Sequence, residues 1–471
     1  MNRTTTIMLK TIAGATLLLA PLAASAQKAG DIVDVTENLK GKVLNVNGTQ
    51  IYIEIFQNSE NRPKGDLTIN YLYHLPSGDN YIVEKLAEKA FYYNSDLKSV
   101  SLNTAITEIP RGAFQACVNL EKVNYEKGQI ETIGSYAFEH TGALTSIDLS
   151  GVTWIGDGAF WVGGLTSADL PNVSYIGKQA FREMKSLAKV TIGESCKTID
   201  GAAFASCPSL AVATLNYGIK EIGLSNFAYS YELKDFVLPA TLTDVKEDVT
   251  KASPIERLFI LTPSFMDFCD QSKVLEHSGL TEIYALDELL YEIDYYLSIN
   301  KATKPNLPSI KAKSLNELVE VIPVKGEEGR FTVETKSDDV WRLKIRNSAG
   351  DFIYPVADGH VYQVTDGKVM LDYEVNTINH LRYTVELKSA PGDDDNNGDD
   401  NNGDDNNGDD NNGDDNNGDD DNSQSGIETI QTDSNLYRYF SLQGIELKNP
   451  SKGIICIRRN VMTGKTEKIR F

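Results

Sequence analysis

Five histidines are the side chains of this sequence best suited to acid–base or metal chemistry, and they lie in separate segments. They are His74, His140, His277, His360 and His380. None stands in a metal-ligand pattern such as His-Glu-x-x-His, and the chain has no phosphate-binding glycine loop and no Gly-x-Ser-x-Gly elbow. We therefore expect a protein without enzymatic activity, metal or cofactor. A cryptic hydrolase that uses His74, His140 or His277 is the alternative, because distant residues can meet in one site.

An acidic run over residues 391–426 is the other segment whose residue types suit ion chemistry. It repeats Asp-Asp-Asn-Asn-Gly and contains 14 aspartates. An EF-hand loop needs a different spacing and a distant glutamate, so the run does not match a calcium loop, although weak cation binding stays open. Because residues 393–422 contain no apolar side chain, we expect a disordered linker. The formal net charge is −22, and without these 14 aspartates it would be −8.

The elements that would position a site come from a repeat in the middle of the chain. Seven phenylalanines recur every 21 to 24 residues, alanine precedes six of them, and an L-x-x-L-x-L strand pattern follows most of them. The seven are Phe91, Phe114, Phe138, Phe160, Phe181, Phe204 and Phe227. A period of this length indicates a solenoid. We predict an α/β-type, β-rich solenoid over residues 81–299, with about nine strand repeats, short second strands and helical turns that carry Ala-Phe.

The repeated phenylalanines have two possible roles, an aromatic binding ladder or a buried spine. One repeat cannot bury its own apolar face, so only the stacking of neighbouring repeats closes a core. Burial of a phenylalanine contributes about 1.5–3 kcal/mol, and truncation to alanine typically costs about 3–5 kcal/mol. We therefore predict that these rings form the core.

The repeat unit resembles the BspA-type leucine-rich repeats of bacterial surface proteins. Residues 133–138 read Ile-Gly-Ser-Tyr-Ala-Phe and residues 203–210 read Ala-Phe-Ala-Ser-Cys-Pro-Ser-Leu, and the resemblance covers about 86–286. It implies a leucine-rich-repeat fold and a family associated with adhesion to host matrix proteins and contacts with other bacteria. It also implies that Cys117 and Cys207 are small core residues. The other three of the five cysteines show no pairing pattern.

Segments on both sides of the repeats have distinct patterns. Residues 27–80 predict an N-terminal β cap with a hairpin at Asn47-Gly48. Apolar residues at helical spacing after Asp287 predict a helix that seals the last repeat. Short alternating runs over 300–390 predict a small all-β, sandwich-like domain with a hairpin at Asp366-Gly367.

The two termini predict export and attachment. Residues 1–26 combine basic residues, an apolar run and an Ala-Ser-Ala cleavage site, as in a secretory signal peptide, and no later stretch is long and apolar enough to cross a bilayer. Residues 427–471 carry +4 and resemble, at Tyr439 to Gly444 and Asn449 to Ile457, the C-terminal sorting domains of Bacteroidetes secreted proteins. That resemblance implies a small β module read by the type IX secretion or attachment machinery. A cell-wall or self-association module is the alternative. We expect a secreted protein on the outer surface of a Gram-negative bacterium.

A candidate binding patch lies on the expected concave sheet. In each strand pattern, the residues beside the central apolar position point away from the core. Toward the last repeats these positions become apolar and aromatic, and the candidate patch comprises Val212, Asp235, Val237, Arg257, Phe259 and Tyr284. Aromatic rings and arginine within a polar rim are typical of protein-binding hot spots. The alternative is that the 300–390 domain covers this end, so that the patch is internal packing.

Charge limits the class of partner. Residues 27–390 carry a formal charge of −14, since residues 1–26 carry +2, the acidic linker −14 and residues 427–471 +4 of the total of −22. This negative charge repels the phosphates of nucleic acids. Charge leaves a protein or a glycan as the partner, and the resemblance to BspA-type repeats implies an adhesin for a host or microbial surface protein. A glycan-capturing module, with stacking planes around Trp341 and Tyr354, is the alternative.

Overall fold

A computed structural model describes residues 27–277, 279–354, 356, 360–375 and 379–387, and four short strands between residues 437 and 470. The expected signal peptide, 1–26, and acidic linker, 391–426, lie outside the described residues. The chain divides into two compact units. The first contains the described residues up to 319 together with 335–344 and 370–383, and the second contains 320–334, 345–369 and the described residues from 384 onward.

The N-terminal strands form a mixed sheet beside the first repeat. They are β1 (Ile32–Asp34), β2 (Leu39–Asn47), β3 (Gln50–Gln57), β4 (Gly65–Thr68), β5 (Leu72–His74) and β6 (Asn80–Leu86). All but β4 belong to one sheet, in the order β1-β2-β3-β6-β5. The predicted hairpin is confirmed, because β2 and β3 pair antiparallel and Gly48 between them has a left-handed φ of +61°. Strand β4 pairs in parallel with the first solenoid strand, so the concave sheet begins within the segment expected to form the cap.

Two rows of parallel strands build a β-rich leucine-rich-repeat solenoid of about eight turns. The concave row contains β7 (Leu97–Ser101), β9 (Lys122–Asn124), β12 (Ser167–Leu170), β14 (Lys189–Ile192), β16 (Val212–Leu215), β18 (Asp235–Leu238), β20 (Arg257–Ile260) and β21 (Glu282–Ala285). The second row contains β8 (Glu108–Ile109), β10 (Thr132–Ile133), β11 (Trp154–Ile155), β13 (Tyr175–Ile176), β15 (Thr198–Ile199), β17 (Glu221–Ile222) and β19 (Asp244–Val245). The second row is one continuous parallel sheet.

One expected concave strand, over residues 144–149, is absent from the described structure. The hydroxyl of Tyr125 donates to the backbone carbonyl of Asp148 at 2.5 Å. The backbone carbonyl of Asp148 therefore accepts from a side chain, whereas in a β-sheet it would accept from the backbone N–H of a neighbouring strand.

The seven phenylalanines form one buried column, as predicted. Neighbouring ring centroids lie 5.0–5.4 Å apart and the ring planes differ by 6–12°. The backbone N–H of each ring residue also donates to the next repeat, as from Phe91 to the carbonyl of Ala113 at 2.7 Å. The column ends at Phe227, because Thr250 holds the ring position of the next repeat, and the carbonyl of the preceding residue, Val249, accepts from Phe227.

The segment around each phenylalanine is a pair of tight turns and not the helical turn that the sequence predicted. Residues two before and two after the phenylalanine have left-handed φ values, as at Tyr136 (+59°) and His140 (+57°). A left-handed residue interrupts right-handed helical bonding. Each turn therefore ends before a helix can form.

Two helices close the last repeats. Helix α1 (Phe265–Ser272) follows β20, and α2 (Asp287–Asn300) follows β21. Leu289, Ile293 and Leu297 of α2 are buried at helical spacing, so the predicted sealing helix is confirmed. Helix α1 was not predicted from the sequence.

Short strands follow the helices. They are β22 (Lys313–Ser314), β23 (Val319–Pro323), β24 (Arg330–Thr335), β25 (Val340–Arg346), β26 (Tyr362–Gln363), β27 (Lys368–Val375) and β28 (Asn379–Glu386). Strand β22 extends the concave sheet beside β21. Strands β23, β24 and β26 form one sheet, and β25, β27 and β28 form another. The predicted hairpin at Asp366-Gly367 is therefore wrong, because the strands that flank it lie in different sheets.

The C-terminal module contains β29 (Tyr437–Phe440), β30 (Glu446–Leu447), β31 (Ile455–Asn460) and β32 (Thr466–Arg470). They form an antiparallel sheet in the order β30-β29-β31-β32. The remaining residues of 427–471 lie outside the described structure.

Candidate binding surface

The concave sheet changes from open to covered along the solenoid. In β9 and β12, the outward residues Lys122, Ser167 and Asp169 are exposed. In β18 and β20, Val237 and Phe259 have relative exposures of only 3% and 0%. Since residues on either side of each belong to the solenoid core, these two side chains point to the concave face. Part of the concave face is therefore buried.

The structure brings five of the six predicted patch residues together in register. Asp235 pairs with Arg257 on the neighbouring strand. Val237, Phe259 and Tyr284 form a second row across β18, β20 and β21. The sixth residue, Val212, lies in a different sheet, where its register partner is Lys189 of β14.

Asp235 and Arg257 form a bidentate ion pair within this group. The Nε and Nη2 atoms of Arg257 donate to the two carboxylate oxygens of Asp235 at 2.9 and 2.5 Å. This hydrogen bonding raises the pKa of Arg257 above its ordinary value, against the opposing effect of burial. The guanidinium also lies 5.8 Å from the centroid of the Phe259 ring. Bidentate, charge-assisted hydrogen bonds are strong, so the guanidinium of Arg257 is bound to Asp235 of the same chain.

The two aromatic residues of the patch also contact each other. The rings of Phe259 and Tyr284 stack with centroids 5.4 Å apart and planes 9° apart. Lys313 Nζ lies 5.3 Å from the centroid of Tyr284 and 2.8 Å from Glu282 Oε1. Burial raises the pKa of Tyr284, and the charge of Glu282 raises it further. In this arrangement Val237 and Phe259 present no surface to a ligand.

The first repeats carry the accessible part of the concave sheet. Ser167 and Lys189 are register partners, both exposed, and Asp169 is exposed beside Thr191. Sequence reasoning favoured the apolar end and overlooked this region. The sequence feature that could have identified this region is the regular alternation of polar and apolar residues in its strands. This alternation places the charged side chains on one exposed face of the sheet.

The three histidines considered for catalysis each have a local partner. His74 Nδ1 lies 2.7 Å from Asn80 Oδ1, and His140 Nε2 lies 3.6 Å from Glu139. His277 Nε2 lies 2.8 Å from the hydroxyl of Thr250, which is itself buried. Burial lowers the pKa of His277 to about 4, so its ring is neutral at neutral pH. A buried hydroxyl is not placed to attack a substrate.

A cavity of about 800 Å³ lies beside His277. Lys251 and Lys273 line it and bind the same carboxylate, Asp248, at 2.8 and 3.2 Å. Glu276 adds a second acidic side chain to the lining. The charges in this cavity are therefore balanced and do not select an anion or a cation.

Two cysteines, Cys117 and Cys207, are core residues, as predicted. Cys117, Cys196, Cys207 and Cys269 are buried and carry free thiols. The thiols of Cys117 and Cys207 donate to the backbone carbonyls of Phe91 and Phe181 at 3.0 and 3.1 Å. Burial raises the pKa of both to about 12, which makes them unreactive.

The described part of the chain offers neither a metal centre nor a membrane span. No three His, Cys, Asp or Glu side chains are placed there to hold a metal ion. None of its helices combines the length and apolar character needed to cross a bilayer.

The repeats match a known family. Residues 84–172 and 153–270 match the model of the BspA type leucine rich repeat region, in six copies. No curated protein matches the chain. Leucine-rich repeats of this kind suggest protein binding and an extracellular or surface location, and the fold is typically non-enzymatic.

Several solved structures are similar over part of the chain. A leucine-rich repeat protein from Bacteroides ovatus is 16% identical, with a TM-score of 0.39, over 54% of this chain and 70% of its own. The T. pallidum leucine rich repeat protein is 24% identical, with a TM-score of 0.33, over 39% and 83%. A leucine rich cell surface protein from Faecalibacterium prausnitzii is 16% identical, with a TM-score of 0.24, over 54% and 91%.

Proposed function

We propose that this chain is a secreted bacterial surface protein that binds another macromolecule through the open half of its concave sheet. The proposed ligand is a host extracellular or mucosal protein, or a surface protein of another microbe. The observation that carries this proposal is the set of exposed polar side chains on β9 and on the register-paired strands β12 and β14. The repeat-family match, which suggests protein binding, supports it.

Export and attachment belong to the same proposal. Residues 1–26 would direct secretion, and residues 427–471 would be read by sorting or attachment machinery at the cell surface. Both roles rest on the sequence alone. The patch around Phe259 is not part of the proposed binding surface, because Val237 and Phe259 are buried.

Capture of ligands from extracellular matrix and mucus tests the proposal. The full chain is compared with Lys122→Glu/Lys189→Glu, which reverses two charges on the open face. A control, Lys178→Glu/Lys220→Glu, makes the same change at exposed lysines outside the concave row. We expect affinity to fall about tenfold or more in the first variant only, since charge reversal at an interface disturbs complementarity. Equal capture by all three proteins would reject the open face as the site, and capture of nothing by the wild type would reject the adhesin.

Two exposed aromatic side chains favour glycan capture as a second candidate function. Trp341 and Tyr354 have relative exposures of 52% and 76%. Exposed aromatic rings provide apolar faces of the kind on which sugar rings stack. Enzymatic removal of glycans from the captured ligands separates the two functions. Binding that disappears on deglycosylation supports glycan capture, and binding that persists supports protein recognition.

A further inference from the structure

A group of polar side chains joins residues 370–383 to the solenoid within the first unit. Asp372 is 2% exposed, and its carboxylate accepts from Arg382 Nη2 at 2.9 Å and contacts His380 Nε2. Arg382 Nη1 also donates to Glu194 Oε1 at 2.6 Å, and His380 Nδ1 lies 2.6 Å from Asn216 Oδ1. We call these five residues the clasp. It links two C-terminal strands to loops that follow β14 and β16.

The clasp lies next to the point where the concave face becomes buried. The guanidinium of Arg382 also lies 5.9 Å from the ring of Tyr217, two residues after β16 ends. The next concave strand along the solenoid is β18, in which Val237 is buried. The clasp therefore marks the boundary between the open and the covered repeats.

The same C-terminal residues extend toward the last repeats. The pKa of Tyr383 is raised by burial and also by the charge of Asp287, the first residue of α2. The charge of Asp339, which precedes β25 in the same sheet as β27 and β28, contributes to the raised pKa of Arg257 on β20, beside Phe259. His380 and Arg382 therefore contact the loops after β14 and β16, and Tyr383 lies within electrostatic range of the start of α2. The strands β18 and β20 lie between these two places in the order of repeats.

We propose that residues 370–375 and 379–383 form an intramolecular cover over the concave surface at Val237 and Phe259, and that the clasp holds this cover closed. The contact is autoinhibitory, because opening it would expose an apolar surface suited to a protein partner. This proposal does not depend on the ligand of the open face.

The chemistry of the clasp suits a contact that opens. Alternation along β27 and β28 places Asp372, His380 and Arg382 on the side that faces the loops after β14 and β16, while Leu371 and Tyr373 point the other way. The cover is thus fastened by ion pairs and hydrogen bonds, as in separable interdomain contacts. Arg382 Nε is buried and has no hydrogen-bond partner among the described residues. A buried donor without a partner weakens the closed state.

Thiol labelling of the full chain tests this cover. Val237→Cys introduces a thiol under it, and Glu194→Ala/Asn216→Ala removes the solenoid side of the clasp. We expect the labelling rate of the introduced thiol, with a soluble maleimide, to rise about tenfold or more, as expected from the loss of charge-assisted hydrogen bonds. Glu121→Ala/Asn124→Ala is the control, since it removes the same residue types from outside the clasp and should leave the rate unchanged.

The native core thiols distinguish opening from unfolding. Cys117 and Cys207 are buried in the solenoid and should stay unlabelled in every variant. If they become labelled, the double variant has unfolded, and the labelling rate is measured instead in the single variant Glu194→Gln. That variant removes only an exposed charge, so it should stay folded. Fast labelling of the introduced thiol in the intact clasp would show that the surface is not covered. Unchanged slow labelling in both clasp variants would show that the clasp does not hold the cover.

Discussion

A small polar side chain bonds successive repeats at one recurring position. Cys117 and Cys207 donate to the phenylalanine carbonyl of the preceding repeat, and Ser253 makes the same bond to Phe227 at 2.8 Å. These carbonyls lie in the core and need a donor. The cysteine of the repeat motif is therefore explained by its hydrogen bond and its size, and not by reactivity.

Left-handed residues impose a second requirement on the turns. Gly158 lies two residues before Phe160, with φ of +58°, and a Cβ added there would lie 2.6 Å from the ring of Tyr136. Ala202 holds the equivalent position before Phe204, also with φ of +58°. An L-residue in this conformation costs about 1–2 kcal/mol.

Gly158→Ala is therefore expected to lower the free energy of unfolding by about 1–2 kcal/mol, from backbone strain and from the contact with Tyr136. Chemical denaturation measures this change. The matched variant Ala202→Gly relieves the same strain and should not destabilise the protein. Equal losses in both variants would contradict the explanation.

Helix α2 has one buried face and one exposed face. Leu289, Ile293 and Leu297 are buried, whereas Tyr291 and Tyr295 are about 40% exposed and stack on each other. The last repeat of a solenoid has no neighbour to cover its apolar face, so a cap must do so. The buried face of α2 supplies that cover.

Ile293→Asp is expected to destabilise the protein by about 2–5 kcal/mol, because it removes buried apolar volume and places a charge in the core. Amide hydrogen exchange should then lose protection first in β20 and β21 and last in β9, because each repeat contacts only its neighbours. Tyr291→Asp changes the exposed face and should alter stability by only about 0.5 kcal/mol. Uniform loss of protection along the array would argue against α2 as a local cap.

The solenoid, its spine and its sealing helix were predictable because each repeats one pattern or follows one period. The absence of a strand at 144–149 was not, because Leu-Thr-Ser-Ile-Asp-Leu fits the same strand pattern as the other repeats. Helix α1 occurs in one repeat only, so the repeat period of the sequence could not predict it. The burial of Val237 and Phe259 could not be predicted either, because alternation assigns them to one face of the sheet and does not say whether that face is covered.

At the scale of the whole molecule, the net charge gives little information on how the fold responds to acid. Of the formal −22, the 14 aspartates between 393 and 422 carry the larger share. The response of the folded repeats to acid depends instead on groups whose pKa differs between the folded and the unfolded chain. His277 is one such group, because burial lowers its pKa from an ordinary 6.5 to about 4.

This shift predicts a loss of stability on acidification. Above pH 6.5 the ring is neutral in both states and has no effect. Between pH 6.5 and about 4 the unfolded chain binds a proton that the folded chain excludes, so the free energy of unfolding falls as pH falls. At pH 5 the expected loss is about 1–2 kcal/mol.

Comparison with His277→Gln isolates this contribution, because the carboxylates titrate alike in both proteins. The amide of glutamine still reaches the hydroxyl of Thr250 and takes up no proton, so the variant should lose less stability between pH 7.5 and pH 5. His74→Gln, at an exposed position of strand β5, is the control for the substitution itself. Parallel profiles for the wild type and His277→Gln would show that the folded protein admits the proton, and that the environment of His277 is more polar than its burial indicates.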